Sequence, residues 1–212
     1  AATDSLTYRL DREEVGRMFG ELGRTAGRRP TGLLPDIASK ARSSLPLDKS
    51  AQIESYCEKG LNAVGGVWTH FVQFFDEAIE FFSGEVQGDS DYSQKIRITP
   101  PTRNKSAWTR VEVAFDKLLV EMNALAKTLN ALYKGLTELV EVGLGDFEAL
   151  VAQLNGQVRF IVDAGEQLNG IVSKPSDKMI YWADVELRRA GRARQPRLTL
   201  SAAPLHVGPL MK

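Results

Sequence analysis

A hydrophobic residue recurs every three or four positions between residues 48 and 82, a spacing typical of an amphipathic α-helix. The positions of this first seam are Ile53, Cys57, Leu61, Val64, Trp68, Phe71, Phe75, Ile79 and Phe82. The pattern ends at Ser83 and Gly84. It therefore predicts one helix of about 35 residues, roughly 50 Å long at about 1.5 Å per residue.

Two further seams of the same period follow a polar stretch at 84–104. The second approaches a heptad repeat and contains Trp108, Val111, Phe115, Leu118, Met122, Leu125, Leu129, Leu132, Leu136 and Leu139. The third begins after Gly143 and Gly145, with Asp146 as the expected N-cap, and contains Phe147, Leu150, Leu154, Val158, Ile161, Leu168 and Ile171. The short joint predicts antiparallel helices. The stretch 84–104, with a short extended element at 96–98, predicts a loop at the distal tip.

The whole pattern predicts a mainly α protein: an elongated antiparallel bundle of three long helices, a shorter N-terminal helix and a C-terminal β-hairpin. The short helix is expected at 12–22, capped by Asp11, before a segment broken by glycine and proline. The hairpin is expected from strand-like sequence at 179–187 and 197–203, across a turn at 188–196. The chain then divides into an N-terminal flank (1–47), a helical domain (48–173) and a C-terminal segment (174–212).

Charge is distributed unevenly although the formal net charge is zero, because an acidic middle lies between two more basic ends. No apolar run of about 18 residues is available to span a membrane, and the N-terminus lacks a signal pattern. We therefore expect a protein without membrane contact, and the single cysteine, which excludes an internal disulfide, favours a reducing, cytoplasmic setting. The chain begins at Ala1 rather than at methionine, and we interpret it as a piece of a longer protein.

Residues that would carry chemistry are sparse. The sequence has no glycine-rich phosphate loop ending in Lys-Ser or Lys-Thr, so we expect no ATP hydrolysis by this chain. His70 and His206 lie far apart, and the single cysteine, Cys57, lies on the first seam, where a buried thiol is expected. We therefore predict that the chain itself has no catalytic site, cofactor or metal.

Aromatic and acidic side chains of the first predicted helix each have two interpretations. The aromatic residues at seam spacing are expected in the core rather than in a base-stacking strip. Phe74 and Phe81 fall off the strictest stripe, so they are the candidates for an exposed contact with a partner. A solvated helix face is preferred to paired-carboxylate chemistry for Asp76, Glu77 and Glu80.

The predicted hairpin turn is crowded with basic residues: Arg188, Arg189, Arg192, Arg194 and Arg197. Five guanidinium groups on a short loop repel one another unless an anion or facing carboxylates compensate, and phosphate suits their fork geometry. From these residues alone, a solvated basic loop and a phosphate-binding loop are equally open interpretations.

Two stretches flank this turn: residues 180–185 read Ile-Tyr-Trp-Ala-Asp-Val, and 198–210 read Leu-Thr-Leu-Ser-Ala-Ala-Pro-Leu-His-Val-Gly-Pro-Leu. The chain opens with Ala-Ala-Thr-Asp-Ser-Leu at 1–6. Together these stretches resemble the DinG-type ATP-dependent DNA helicases, in which the opening would continue the Asp-Glu-Ala-His box. The resemblance covers 1–15 and 178–212. The long helices occupy the interval where such XPD-like helicases insert their arch domain.

The resemblance implies that the parent protein uses ATP and Mg²⁺ to translocate on single-stranded DNA, and it allows an iron–sulfur cluster upstream of this chain. The arch would help to enclose the strand against the motor and iron–sulfur domains of the same chain. DNA contacts are expected from the basic turn and from the distal tip, at Arg188, Arg189, Arg192, Arg194, Arg103 and Lys105. The alternative is a coiled-coil interaction or scaffold module, because heptad seams also build dimerisation domains.

Overall fold

The computed structural model describes residues 7–24, 30–86, 93–141, 143, 145–190 and 193–205, and for 187–190 and 193–195 the description covers the backbone. The elements in these residues are β1 (Tyr8–Asp11), α1 (Arg12–Leu22), α2 (Leu33–Ser44), α3 (Leu47–Glu85), β2 (Gln94–Arg97), α4 (Pro100–Arg103), α5 (Trp108–Glu141), α6 (Glu148–Val172), β3 (Met179–Ala190) and β4 (Ala193–Pro204). The predicted mainly α class, with long helices packed together and a C-terminal hairpin, is confirmed.

The three hydrophobic seams form the three long helices α3, α5 and α6, of 39, 34 and 25 residues. Seam residues such as Phe75, Leu118 and Leu154 are fully buried. The apolar stripe of an amphipathic helix is shielded from water when it packs against the apolar stripe of another element. Asp146, the expected cap of the third helix, lies in a 3₁₀ turn at Gly145–Phe147 and accepts a hydrogen bond from Lys40. None of the described helices is long and apolar enough to cross a membrane.

The chain forms two compact units. The sheet unit comprises Ala1–Glu14, His70–Lys117 and Ala164–Lys212, and the helical unit comprises Val15–Thr69 and Leu118–Asp163. In the helical unit, α2, α3 and α5 pack closely around Gly60, where an added Cβ would lie 3.0 Å from Leu34 and 3.5 Å from Leu129. The expected division at 47/48 and 173/174 concerns the parent protein and stays a prediction.

The segment at 23–47 contains a 12-residue helix, α2, where the sequence predicted only a broken stretch. Pro35 is the third residue of α2, where the N–H has no intrahelical acceptor, so proline is tolerated there. Before it, Arg24 and Thr31 form an antiparallel bridge with N–O distances of 2.8 and 3.0 Å. Gly32 then has a φ of 120°, which favours glycine. Gly32 and Pro35 are therefore both compatible with the start of α2.

The predicted helix at 12–22 is confirmed, and its expected cap is present. Asp11 Oδ1 accepts a hydrogen bond of 2.8 Å from the backbone N–H of Glu14. The residues before it form a strand that the sequence did not predict, β1, which pairs antiparallel with β4. Tyr8 lies opposite Ala202, so the described chain enters and leaves through neighbouring strands.

The four strands form one antiparallel sheet in the order β1-β4-β3-β2. The expected turn at 188–196 is wrong in extent, because β3 continues to Ala190 and β4 begins at Ala193. The register runs without interruption from Met179 opposite Pro204 to Ala190 opposite Ala193. The continuing ladder therefore draws most of the arginine-rich segment into the strands.

The strand β2 corresponds to the short extended element predicted near 96–98, and it pairs with β3, with Lys95 opposite Asp184. The expected location of 84–104 at a distal tip, away from the hairpin, is therefore wrong. In three consecutive antiparallel helices the first and third run in the same direction. Both α3 and α6 consequently end in the sheet unit, and the stretch between α3 and α5 joins the sheet.

Side chains from other elements hold the C-terminal end of α6. The last carbonyl groups of a helix have no intrahelical donor. Arg103 donates from Nε and Nη2 to the Ile171 carbonyl oxygen at 3.1 and 2.7 Å. The Trp108 indole N–H donates to the Val172 carbonyl oxygen at 3.4 Å. These hydrogen bonds fix the helix end just before the chain enters β3.

Aromatic side chains fill the core of the sheet unit. Phe74 and Phe81, expected on an exposed partner surface, are only 0% and 6% exposed, so that expectation is wrong. Phe74 packs on Phe115 and Phe81 on Trp108, with ring centroids 5.8 and 4.9 Å apart. The buried arc of α3 is thus wider than one seam. In the helical unit, Trp68 is 43% exposed although its seam position predicted the core.

Candidate nucleic-acid interface

The outer face of the sheet is defined by strand alternation. Tyr181 and Ala183 of β3 are buried, so Trp182 and Asp184 lie on the opposite face, where both are half-buried. We call this opposite side the outer face. Its two central rows, taken across β1, β4, β3 and β2, are Arg9, Ser201, Trp182 and Arg97, and then Asp11, Thr199, Asp184 and Lys95.

Trp182 occupies the middle of this face in a defined orientation. Its indole Nε1 donates a hydrogen bond of 3.0 Å to Asp184 Oδ2, two residues along the same strand. The ammonium group of Lys95 lies 5.8 Å from the ring centroid, a cation–π arrangement. Arg97 is directly opposite Trp182 in the register. The ring is therefore half-exposed, held at one edge by a carboxylate and flanked by two cations.

The cations of the outer face differ in how their charge is compensated. Arg197, in β4, forms ion pairs with Asp11 at 3.0 Å and Glu13 at 3.2 Å. Lys95 and Arg97, in the edge strand β2, are exposed and form no ion pair within the described part of the chain. Lys95 and Arg97 are therefore described cations of this face that have no ion pair, and they lie beside the indole.

Arg103, predicted to bind DNA, is engaged by the protein. Besides its hydrogen bonds to Ile171, Nη1 donates to the Ile98 carbonyl oxygen at 3.4 Å, and the guanidinium lies 5.3 Å from the Tyr181 ring centroid. Burial lowers the pKa of Arg103 from its usual value, yet an arginine remains charged. These contacts favour a structural role, and a DNA contact by Arg103 stays a prediction.

Lys105 forms an ion pair with Glu85 at the end of α3. Like Arg103, it lies in the sheet unit rather than at a distal tip. Its ammonium charge is therefore already opposed by a carboxylate, and its contact with DNA also stays a prediction.

Four of the five arginines of the predicted basic turn, those predicted to bind DNA, are described in their backbone at most. Arg188 and Arg189 belong to β3 and Arg194 to β4, with Arg189 opposite Arg194 in the backbone register. Their side chains, and the whole of Arg192, lie outside the described residues. Their role in binding phosphate stays a prediction from the sequence.

The remaining candidates from the sequence have local explanations. The neighbouring carboxylates of α3 form ion pairs: Asp76 with Arg12 at 2.8 Å, and Glu80 with Arg110 at 2.7 Å. Cys57 is buried as expected, and burial raises the pKa of its thiol to about 12. No cluster of three or more histidine, cysteine or acidic side chains that could hold a metal ion occurs in the described ranges.

Trp182, Lys95 and Arg97 were not predicted from the sequence as functional residues. Alternation within 180–186 was a usable signal, since it separates Trp182 from the buried Tyr181. The pairing of β2 with β3 joins residues about 90 positions apart, and no local pattern predicts it. Comparison with known protein families and with curated proteins gives no match for this chain.

Proposed function

We propose that this chain is an internal segment of a DinG-type ATP-dependent DNA helicase. It would be the arch insertion with its flanking segments, which helps to enclose and guide single-stranded DNA. The chain contributes no catalytic site to this activity. ATP and Mg²⁺ would bind the motor domains of the parent, which we expect to be cytoplasmic and in which an iron–sulfur cluster has a place upstream of the arch.

The pairing of β1 with β4 carries this proposal. An insertion must leave its host domain and return to it at neighbouring points. Tyr8 and Ala202 are opposite each other in the sheet, and all the long helices lie between them in sequence. The segments that resemble the family, 180–185 and the start of 198–210, belong to the paired strands β3 and β4. The described parts of these segments therefore belong to the same sheet as β1, which supports the proposal.

A coiled-coil scaffold module is the alternative, and burial of the second seam argues against it. A coiled-coil dimer keeps its a and d positions for a partner helix. Met122, Leu125, Leu132 and Leu136 of α5 are already 0–2% exposed within the single chain. The regular seam is thus used internally, which supports an arch-like bundle over a dimerisation helix.

The proposal is tested in the parent protein by replacing Arg188, Arg189, Arg192 and Arg194 with alanine. We expect weaker binding of single-stranded DNA. The slope of the logarithm of the binding constant against the logarithm of the salt concentration should become less steep by about 0.7 for each phosphate that is no longer neutralised. DNA-independent ATP hydrolysis should be unchanged. Replacing four exposed cations of α5 and α6 with alanine (Lys117, Lys127, Lys134 and Arg159) removes the same charge elsewhere and is the matched control. A parent gene without a phosphate-loop lysine and an Asp-Glu-Ala-His box before this segment would refute the assignment.

A further inference from the structure

We propose that the outer face of the sheet is a stacking platform for single-stranded DNA. Trp182 would stack on one base, and Lys95 and Arg97 would neutralise the flanking phosphates. This inference rests on the proposed function, because it names a contact surface for the strand that the arch encloses. None of the residues predicted from the sequence to bind DNA belongs to this platform.

The position of Trp182 suits stacking. Aromatic side chains on an open face bind successive bases of a single strand with little sequence preference, because every base has a π-face. The hydrogen bond from the indole to Asp184 limits rotation of the ring, so little conformational freedom remains to be lost on binding. Trp182 is half-buried, although a tryptophan on the other face of β3 would be covered by the core.

The positions of Lys95 and Arg97 suit a phosphate backbone. They are two residues apart in β2, so they lie on one face about 7 Å apart, at about 3.4 Å per residue. This separation is comparable with that of successive phosphates in an extended strand. Both side chains are exposed and without an ion pair among the described residues. Lys95 rests near the indole ring, and its flexible stem lets the ammonium move to a phosphate when a base takes that place.

Single-stranded DNA is favoured over a duplex by the same geometry. Bases in a duplex are stacked on one another and offer no free face to an indole ring. Asp184, and the ion-paired Asp11 in the same row, would repel a long phosphate tract across the sheet. The favourable surface is therefore the strip formed by Trp182 and β2, which has room for one or two nucleotides.

The test uses the 212-residue chain and a fluorescein-labelled oligothymidylate, with binding followed by anisotropy at low salt. Trp182→Ala should weaken binding roughly tenfold, as expected when one base–aromatic stack is removed. Trp182→Phe should retain most of the affinity. Replacing Lys95 and Arg97 with glutamine should weaken binding. It should also make the slope of the logarithm of the binding constant against the logarithm of the salt concentration less steep by about 0.7 for each phosphate left without its cation. Lys127→Gln with Lys134→Gln removes the same charge from α5 and should change neither the affinity nor the salt dependence.

An oligonucleotide with one abasic site separates stacking from charge. The abasic site should weaken binding by the wild-type chain and have no further effect on Trp182→Ala. Equal affinity of Trp182→Ala and wild type, duplex preferred to single strand, or no binding at all would overturn the platform. If the four-arginine variant alone lost affinity, the platform would fall while the helicase proposal stood. The helicase proposal is judged separately by DNA-stimulated ATP hydrolysis in the parent.

Discussion

Apolar side chains are buried in both the helical unit and the sheet unit, and in the sheet unit directional hydrogen bonds add to this packing at one helix end. In the helical unit, the side chains of Leu125, Leu129 and Leu132 of α5 are at most 1% exposed. They stabilise the unit only through dispersion and the hydrophobic effect. In the sheet unit, Arg103 and Trp108 donate hydrogen bonds to the last carbonyl oxygens of α6. Apolar contacts are non-directional, so they pair helices without fixing one atom against another. Directional hydrogen bonds define where α6 ends and where β3 begins.

The largest effect is expected from the leucine seam of the helical unit. Leu125→Ala and Leu129→Ala should each lower the free energy of unfolding by about 2–5 kcal/mol, because each removes a buried side chain and leaves a cavity. Urea denaturation followed by circular dichroism measures this decrease. Leu47→Ala is the matched control, since Leu47 is 86% exposed and its truncation should change little. Equal urea midpoints of unfolding for the Leu125 and Leu47 variants would contradict the assignment of Leu125 to the buried seam.

A smaller effect is expected from the hydrogen bonds of Arg103 in the sheet unit. Arg103→Ala leaves the carbonyl oxygen of the buried Ile171 without its donor, and this should cost about 1–3 kcal/mol in the same denaturation assay. Arg103→Lys should recover only part of that stability, because an ammonium group cannot reproduce the planar fork.

Arg110→Ala is the comparison for Arg103. Arg110 has a side-chain exposure of 55% and contacts carboxylates rather than helix carbonyl groups, so its removal should have little effect on stability. If Arg103→Ala and Arg110→Ala behaved alike, the end of α6 would not depend on the directional hydrogen bonds described above.

The smallest effect is expected from the exposed pair of Arg42 and Glu54 in the helical unit. The hydrogen bond from Arg42, at 2.6 Å, lowers the pKa of Glu54 below its usual value of 4.5. The associated stability is therefore present above pH 4.5 and lost as the pH falls through the lowered pKa. Arg42→Gln should raise the Glu54 pKa back towards 4.5, measured by NMR titration of its carboxyl carbon. Arg159→Gln, in α6, should leave that titration unchanged, and an unaltered curve in Arg42→Gln would refute the pairing.

Local periodicity predicted the long helices well because helix formation depends on neighbours three and four positions apart. The second seam began at Trp108 in the sequence, and α5 begins there. The prediction that Phe74 and Phe81 are exposed was wrong, because the buried stripe of α3 is wider than the seam. Phe115 and Trp108 of α5 cover a wider arc of α3 than one seam. The width of the buried arc depends on how many elements pack around the helix. That number cannot be predicted from the sequence of the helix alone.

The sheet was only partly predictable, for a related reason. The hairpin of β3 and β4 has a local signal, since its strands are adjacent in sequence. The strands β1 and β2 have four residues each, and each pairs with a strand far away along the chain. One of these distant pairings, that of β2 with β3, forms the candidate site. It brings the cations of β2 beside the indole of Trp182. A contact between residues far apart along the chain leaves no periodic pattern in the local sequence that would reveal it.

The register of β1 against β4 has a mechanical consequence. The chain enters beside Tyr8 and leaves beyond Ala202, on the same side of this antiparallel pair. A force that separates these two points would therefore peel the ladder open one residue pair after another, beginning with Tyr8 and Ala202 and ending with Asp11 and Thr199. Peeling needs far less force than shearing all the hydrogen bonds together. The β1–β4 pair would therefore open under a smaller force than a pair of strands pulled in shear.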